Sequence, residues 1–135
     1  MVNAGKASKR GRMVGILDSN HTHEHVLGEL NLYGSLVSVG SYCVVFDTVI
    51  EDLDGAEFVD RPWDKGKNPK TAVAEFLNTD SDFVVDYSID EKLLISAAPG
   101  GYLKRVKSLR DSSNGSNPVL QQTECVATTT FVLRR

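Results

Sequence analysis

Met13-Val14-Gly15-Ile16-Leu17, followed at once by Asp18-Ser19-Asn20-His21-Thr22, is the stretch on which the reading of the fold turns. The first five residues make a short, nearly continuous apolar run, the pattern of a strand buried on both faces. The polar cluster that ends it is followed by a helical pattern from His23. There Thr22 is the expected N-cap and Glu24 sits in the first turn, where a carboxylate complements the helix dipole. Val26, Leu27, Leu30, Tyr33 and Val37 recur at helical spacing and form one apolar face, so a helix is expected over 23–37. Val39-Gly40-Ser41 closes it.

A second strand and helix follow, with no internal repeat of the sequence. Tyr42-Cys43-Val44-Val45-Phe46 reads as a second buried strand and also ends in a polar pair, Asp47-Thr48. An acidic connection leads to the turn-rich Arg61-Pro62-Trp63-Asp64-Lys65-Gly66. Asn68-Pro69 is a clear helix start, with Asn as N-cap and Pro at the first helical position. Val73, Phe76 and Leu77 supply the apolar face of a helix near 69–78. Phe83–Tyr87 and Lys92–Ser96 are β-rich runs separated by a hairpin-length connection. This order predicts an α/β fold, with parallel strands followed by an antiparallel C-terminal hairpin.

Outside that region the composition changes. The 135 residues carry 15 basic and 18 acidic side chains, a formal net charge of −3. Residues 1–12, with Lys6, Lys9, Arg10 and Arg12, form a basic arm. Residues 108–135 form a tail whose Asp111–Pro118 segment has the composition of a disordered linker. Val126–Leu133 has a strand-like pattern with no partner evident nearby. Neither basic stretch is interleaved with aromatics, so nucleic acid is not an expected partner. No apolar run approaches the ~20 residues of a membrane span, and no apolar segment backs the N-terminal charges as in a secretory signal. The two cysteines, Cys43 and Cys125, form no disulfide framework, and a reducing, cytoplasmic setting is expected.

In open α/β sheets, ligands bind beyond the carboxyl ends of parallel strands. Neighbouring strands lie about 4.8 Å apart, so the clusters at 18–21 and 47–48 should face one cleft. Asp18, Asn20 and Asp47 offer oxygens suited to a hard divalent ion such as Mg²⁺. Such residues are also ordinary in loops and helix caps, and both readings stay open on position alone. His21-Thr22-His23-Glu24-His25 places His21 and His25 on one helix face and His23 elsewhere, unlike the zinc motif with two histidines around a glutamate. His21, nearest the strand end, is the best general base or substrate contact, or else a helix cap. His23 and His25 read as structural.

The run LDSNHTHEHVLGELNLYGSLVSVGSYCVVFDT (17–48) resembles a stretch of the cephalosporin hydroxylase / rhamnosyl O-methyltransferase family. RPWDKGKNPKTAVAEFL (61–77) and KLLISAAPGGYLKRV (92–106) continue the likeness in order, so that it covers roughly 12–106. The resemblance implies a Rossmann-like fold that uses S-adenosylmethionine to methylate a hydroxyl of a sugar, glycolipid or antibiotic-like metabolite. Under it, His21 and Asp47 are the catalytic candidates, Asp18 and Ser19 the cofactor contacts, and Asp18, Asn20 and Asp47 the metal ligands. In some members a divalent metal lies near the cofactor. Where metal-bearing members have an acidic pair at the second strand end, this chain has Phe46-Asp47, and Asn20 stands where an acid is common. Weak Mg²⁺ affinity is therefore expected.

The resemblance also implies a preceding half, with a glycine-rich cofactor loop; no G-x-G-x-x-G run occurs here. On that reading residues 13–107 are the second half of the domain and are inactive alone. The outer edge of the 13–17 strand would be exposed, a route to a homo-oligomer. The competing reading is a non-catalytic α/β binding or interaction module.

Overall fold

A computed structural model describes residues 11–54 and 59–107, and the backbone of 128–134. The elements run β1 (Arg12–Asp18), α1 (His23–Tyr33), β2 (Tyr42–Val45), α2 (Pro69–Thr79), β3 (Phe83–Val85), α3 (Tyr87–Leu93), β4 (Tyr102–Arg105) and β5 (Thr128–Arg134). Short 3₁₀ turns occupy Gly34–Leu36 and Thr48–Asp52. The sheet order is β3-β4-β2-β1-β5. β1 pairs in parallel with β2 and with β5, while β4 runs antiparallel to β2 and β3. This is the expected Rossmann-like α/β arrangement, with parallel strands followed by an antiparallel pair.

The register explains the core. Gly15 pairs with Cys43, and Cys43 with Leu103, while Leu17 pairs with Val45. These rows share the face on which α1 and α2 pack, and with Val26, Leu30, Val73, Phe76 and Phe83 they form one buried cluster. Val14, Ile16, Val44 and Tyr102 point to the opposite face and are only half-buried. The apolar run at 13–17 was expected to be buried on both faces; among the described residues, only the helix-facing side is fully covered.

The second helix begins where its sequence indicates. Asn68 Oδ1 accepts from the backbone N–H groups of Lys70 (3.0 Å) and Thr71 (3.3 Å), and Thr71 Oγ1 accepts the Asn68 N–H (3.1 Å). This reciprocal capping box satisfies amides that the helix itself leaves unpaired. The first helix ends earlier than its apolar pattern suggested. It gives way at Gly34 to a 3₁₀ turn, because Val37 reaches the core in extended conformation.

Three expectations are corrected. The segment 92–96 is not a strand. Asp86 accepts the Ser88 N–H and opens α3, and Leu94 and Ile95 are each 92 % exposed. The strand beside β2 is instead Tyr102–Arg105, which glycine admits: a Cβ on Gly101 would stand 2.2 Å from the Val45 carbonyl oxygen. The outer edge of β1 is not open, because β5 pairs along it from Arg12↔Thr128 to Asp18↔Arg134. That pairing removes the exposed edge from which a homo-oligomer was expected and puts part of the 108–135 tail in the sheet. The Asp111–Pro118 linker and most of the basic arm lie outside the described residues. No described helix is long and apolar enough to cross a membrane.

Candidate functional site

Parallel pairing of β1 and β2 brings their carboxyl ends side by side, where ligands bind in sheets of this kind. Asp18 is the last residue of β1, and Asp47 lies two residues beyond the end of β2. The backbone of Asp47 is left-handed (φ 58°, ψ 21°), a region that non-glycine residues rarely occupy and that concentrates at functional sites. Asp47 precedes the 3₁₀ turn at Thr48–Asp52 as its N-cap residue, yet its side chain makes no capping hydrogen bond. The carboxylate is spent elsewhere: Asp47 Oδ2 lies 3.0 Å from His21 Nε2.

Both partners are about 30 % exposed (31 % and 29 %), so the pair is half-sheltered yet open to a ligand. Asp18 joins it. One ligand atom each from Asp18, His21 and Asp47 lie within 4.8 Å of one another. Two carboxylates and an imidazole at this separation can hold a divalent cation. The nitrogen suits Mn²⁺ or Zn²⁺ better than Mg²⁺, which prefers an all-oxygen shell. The same groups can also act as an acid–base pair, since a carboxylate on one ring nitrogen fixes the tautomer and orientation of the other.

The remaining candidates are placed differently. Asn20 Oδ1 accepts the Thr22 N–H at 2.9 Å, so it shapes the turn into α1. The expected Thr22 N-cap is present in position but makes no side-chain cap. Ser19 donates to Glu29 Oε1 at 2.5 Å, and its hydroxyl lies 3.1 Å from His25 Nε2. His25 Nε2 is in turn 3.0 Å from Glu29. Because hydroxyl and carboxylate meet the same ring nitrogen, this trio is not a nucleophile–base–acid relay, which needs one partner on each nitrogen. Glu29 is buried, and its Oε2 has no hydrogen-bond partner among the described residues. Beside it, Cys43 is a sealed thiol whose pKa is pushed up to about 12, by burial first and by the Glu29 charge second. His23 bridges the helices, with Nδ1 2.7 Å from Thr71 Oγ1 and Nε2 3.0 Å from Glu75.

The sequence reading passed over Trp63 as a site residue. Its ring packs against His21, centroids 4.7 Å apart and tilted by 54°, and the Arg61 guanidinium lies 5.4 Å from its centroid. A signal was available: this is the only tryptophan in the chain, and it stands in a polar turn immediately before a capped helix. The loop is tied to the site side of the sheet through Glu51, whose Oε2 accepts from the Gly66 N–H at 2.8 Å and from Asn68 Nδ2.

The family described as Rhamnosyl O-methyltransferase/CmcI matches residues 2–106, which include every residue of this cluster. The chain belongs to this family. Similar proteins include the rhamnosyl O-methyltransferases of Mycobacterium tuberculosis (strain ATCC 25618 / H37Rv) and Mycobacterium bovis (strain BCG / Pasteur 1173P2). Each is 33 % identical over 102 residues, covering 70 % of this chain and 37 % of the relative. The chain thus spans little more than a third of the length of these relatives. No solved structure matches it significantly.

Proposed function

We propose that this chain carries the acceptor-side and metal-side half of an S-adenosylmethionine-dependent O-methyltransferase acting in the cytoplasm on a hydroxyl of a sugar, glycolipid or antibiotic-like metabolite. The observation that supports this most directly is the His21–Asp47 pair, 3.0 Å apart at the carboxyl ends of two parallel strands. Asp47 receives the Nε2–H and holds the imidazole in place, which leaves Nδ1 to take the proton of the acceptor hydroxyl. As that proton arrives, the Asp47 carboxylate stabilises the imidazolium. When bound, S-adenosylmethionine supplies an electrophilic methyl group and leaves as the neutral thioether S-adenosylhomocysteine once the acceptor oxygen has taken that methyl.

Asp18 and Ser19, at the end of β1, are the proposed contacts to the donor, whose sulfonium charge an adjacent carboxylate favours. A divalent ion, if used, would be held by Asp18 and Asp47 with His21 in reach and Asn20 beside them, and it would polarise the acceptor oxygen. The unit doing this is residues 13–107. Methyl transfer needs donor and acceptor held in line at near-attack distance, which can be worth ~7–11 kcal/mol. These residues include no glycine-rich loop to grip the donor, so turnover is expected only when such a loop is supplied.

The test measures S-adenosylhomocysteine release with a panel of sugar and phenolic acceptors, alongside calorimetry with donor and product. The chain alone should give no turnover, and a version extended N-terminally by a glycine-rich cofactor half should give it. In the extended protein, His21→Ala and Asp47→Ala should lower kcat by about 10²–10⁴-fold, the worth of a positioned general base, and change donor affinity less. Turnover by the chain alone that Asp47→Ala abolishes would show that it is self-sufficient. No donor binding in any extended form would favour the non-catalytic binding module.

A further inference from the structure

Beside the acid–base pair the surface folds into a concavity of about 470 Å³, lined by the seven residues Arg61–Lys67. We propose that this loop is the acceptor subsite, and that it selects a sugar ring bearing a negative group, a carboxylate or a phosphate. The proposal rests on the methyltransferase reading above and adds the chemical class of the acceptor.

Three observations carry it. The first is position. Trp63 forms part of the lining, and its ring is 4.7 Å, centroid to centroid, from that of His21. A ring lying in the concavity is therefore one side chain away from the proposed base. The volume falls in the range of small-molecule sites, roughly 300–1,000 Å³, and the indole with Pro62 offers apolar surface to the C–H face of a pyranose.

The second observation is charge. The lining carries Arg61, Lys65 and Lys67 against one acid, Asp64. Asp64 Oδ1 is already engaged, accepting the Lys65 N–H at 2.6 Å. Among the described residues none of these three cations is in an ion pair, whereas nearby Lys70 is paired with Asp52 at 2.7 Å. The carboxylates of Asp18 and Asp47 favour the cationic donor; the basic rim repels it and attracts an anion. Donor and acceptor would thus be sorted around His21 by the sign of the local potential.

The third is rigidity. Asp64 and Lys67 bond to each other through their backbones (3.3 and 2.9 Å), closing a tight turn. Gly66 takes φ +84° within it, a conformation glycine adopts without strain. Glu51 receives the Gly66 N–H, and Asn68 Nδ2 donates to the Asp64 carbonyl at 3.0 Å. A turn held in this way pays little ordering cost when a ligand arrives.

Trp63, as the sole tryptophan, reports on the loop directly through its fluorescence. Glucuronate and glucose 6-phosphate should each perturb it saturably at concentrations at least tenfold below those at which glucose or rhamnose does. Lys65→Ala/Lys67→Ala should weaken the anionic sugars at least tenfold and leave the neutral ones nearly unchanged, with far-UV circular dichroism confirming the fold. Equal responses of the wild-type protein to glucose and glucuronate overturn the proposal, as do anionic-sugar affinities in the double variant that match those of the wild type, or no response in the folded protein. Inorganic phosphate binding as tightly as glucose 6-phosphate would overturn it too, by showing that the ring contributes nothing. Because this binding needs no methyl donor, the two readings fail separately. Selective binding of anionic sugars without turnover in the extended protein removes the methyltransferase reading alone. Turnover on neutral sugars with no charge selection removes this one alone.

Discussion

Asn68→Asp is the substitution that most sharply tests how the acceptor-side loop is held. Asn68 is fully buried, and its two side-chain ends do different work. Oδ1 caps α2, and an aspartate would keep that cap and even improve its match to the helix dipole, by about 0.3–1 kcal/mol. Nδ2 donates to the Glu51 carboxylate and to the Asp64 carbonyl, and an aspartate can make neither bond. A hydrogen bond to a charged group contributes about 1.5–3 kcal/mol and a neutral one about 0.5–1.5 kcal/mol. The substitution also sets a carboxylate against Glu51, so the expected net loss is about 2–4 kcal/mol, a large share of the ~5–15 kcal/mol of a whole domain. With a urea dependence of about 1–3 kcal/mol per molar, the unfolding midpoint should fall by roughly 1–2 M. Circular dichroism follows the fold and Trp63 fluorescence the loop. Adding Glu51→Gln should recover at least about 1 kcal/mol, since the amide can donate to the new carboxylate. A loss under about 0.5 kcal/mol, or no coupling beyond the ~0.5 kcal/mol scatter of independent sites, would refute the reasoning.

Other expectations address the remaining chemistry. In calorimetry, Mn²⁺ or Zn²⁺ should bind more tightly than Mg²⁺, and Asp47→Ala should abolish binding; micromolar Mg²⁺ affinity would show that Phe46 costs the site nothing. Cys43, with its thiol pushed up to about 12, should resist a thiolate-selective reagent at pH 8 and react in urea. Peptide mapping separates it from Cys125, and rapid labelling of the folded protein would contradict its burial. Hydrogen bonds from Ser88 and then Tyr42 hold the Asp86 carboxyl below its usual range, and the bond to Asp86 raises the Tyr42 phenol. The Asp86 contribution to stability is therefore present above the ordinary carboxylate range and lost as pH falls through the lowered value. The Tyr42 contribution is present below its ordinary value and lost as pH rises through the raised one. Tyr42→Phe should flatten both limbs of the stability–pH curve relative to wild type, and parallel curves would count against the pairing.

The candidate site was legible in part, and the division has physical causes. Asp18, His21 and Asp47 could be named because strand ends are readable from where an apolar run stops. Parallel pairing then makes two such ends neighbours, whatever the details of packing. The left-handed backbone of Asp47 could not be read, since aspartate enters that region only when the surrounding turn demands it. The resemblance implied Ser19 as a cofactor contact; its hydroxyl meets Glu29 and His25, ten and six residues along the chain, on a helix that only packing orients. Trp63 reached His21 across more than forty residues of chain, a contact that no local pattern encodes.

By itself the amino-acid sequence determined the α/β class, the two parallel strands, the capped start of α2 and the meeting of the two polar strand ends. All of these follow from local rules: apolar periodicity, a capping asparagine before proline, and the geometry of a strand–helix–strand unit. Only the tertiary structure decided which segments complete the sheet. Lys92–Ser96 has the composition of a strand, yet Tyr102–Arg105 takes the place beside β2, because Gly101 alone lets the backbone approach the Val45 carbonyl. Thr128–Arg134, whose pattern pointed to no partner, closes the free edge of β1. Strand propensity is a property of a segment, but a place in a sheet is won in competition with every other segment of the chain, and that competition is settled by backbone clearance and by which edge remains unpaired.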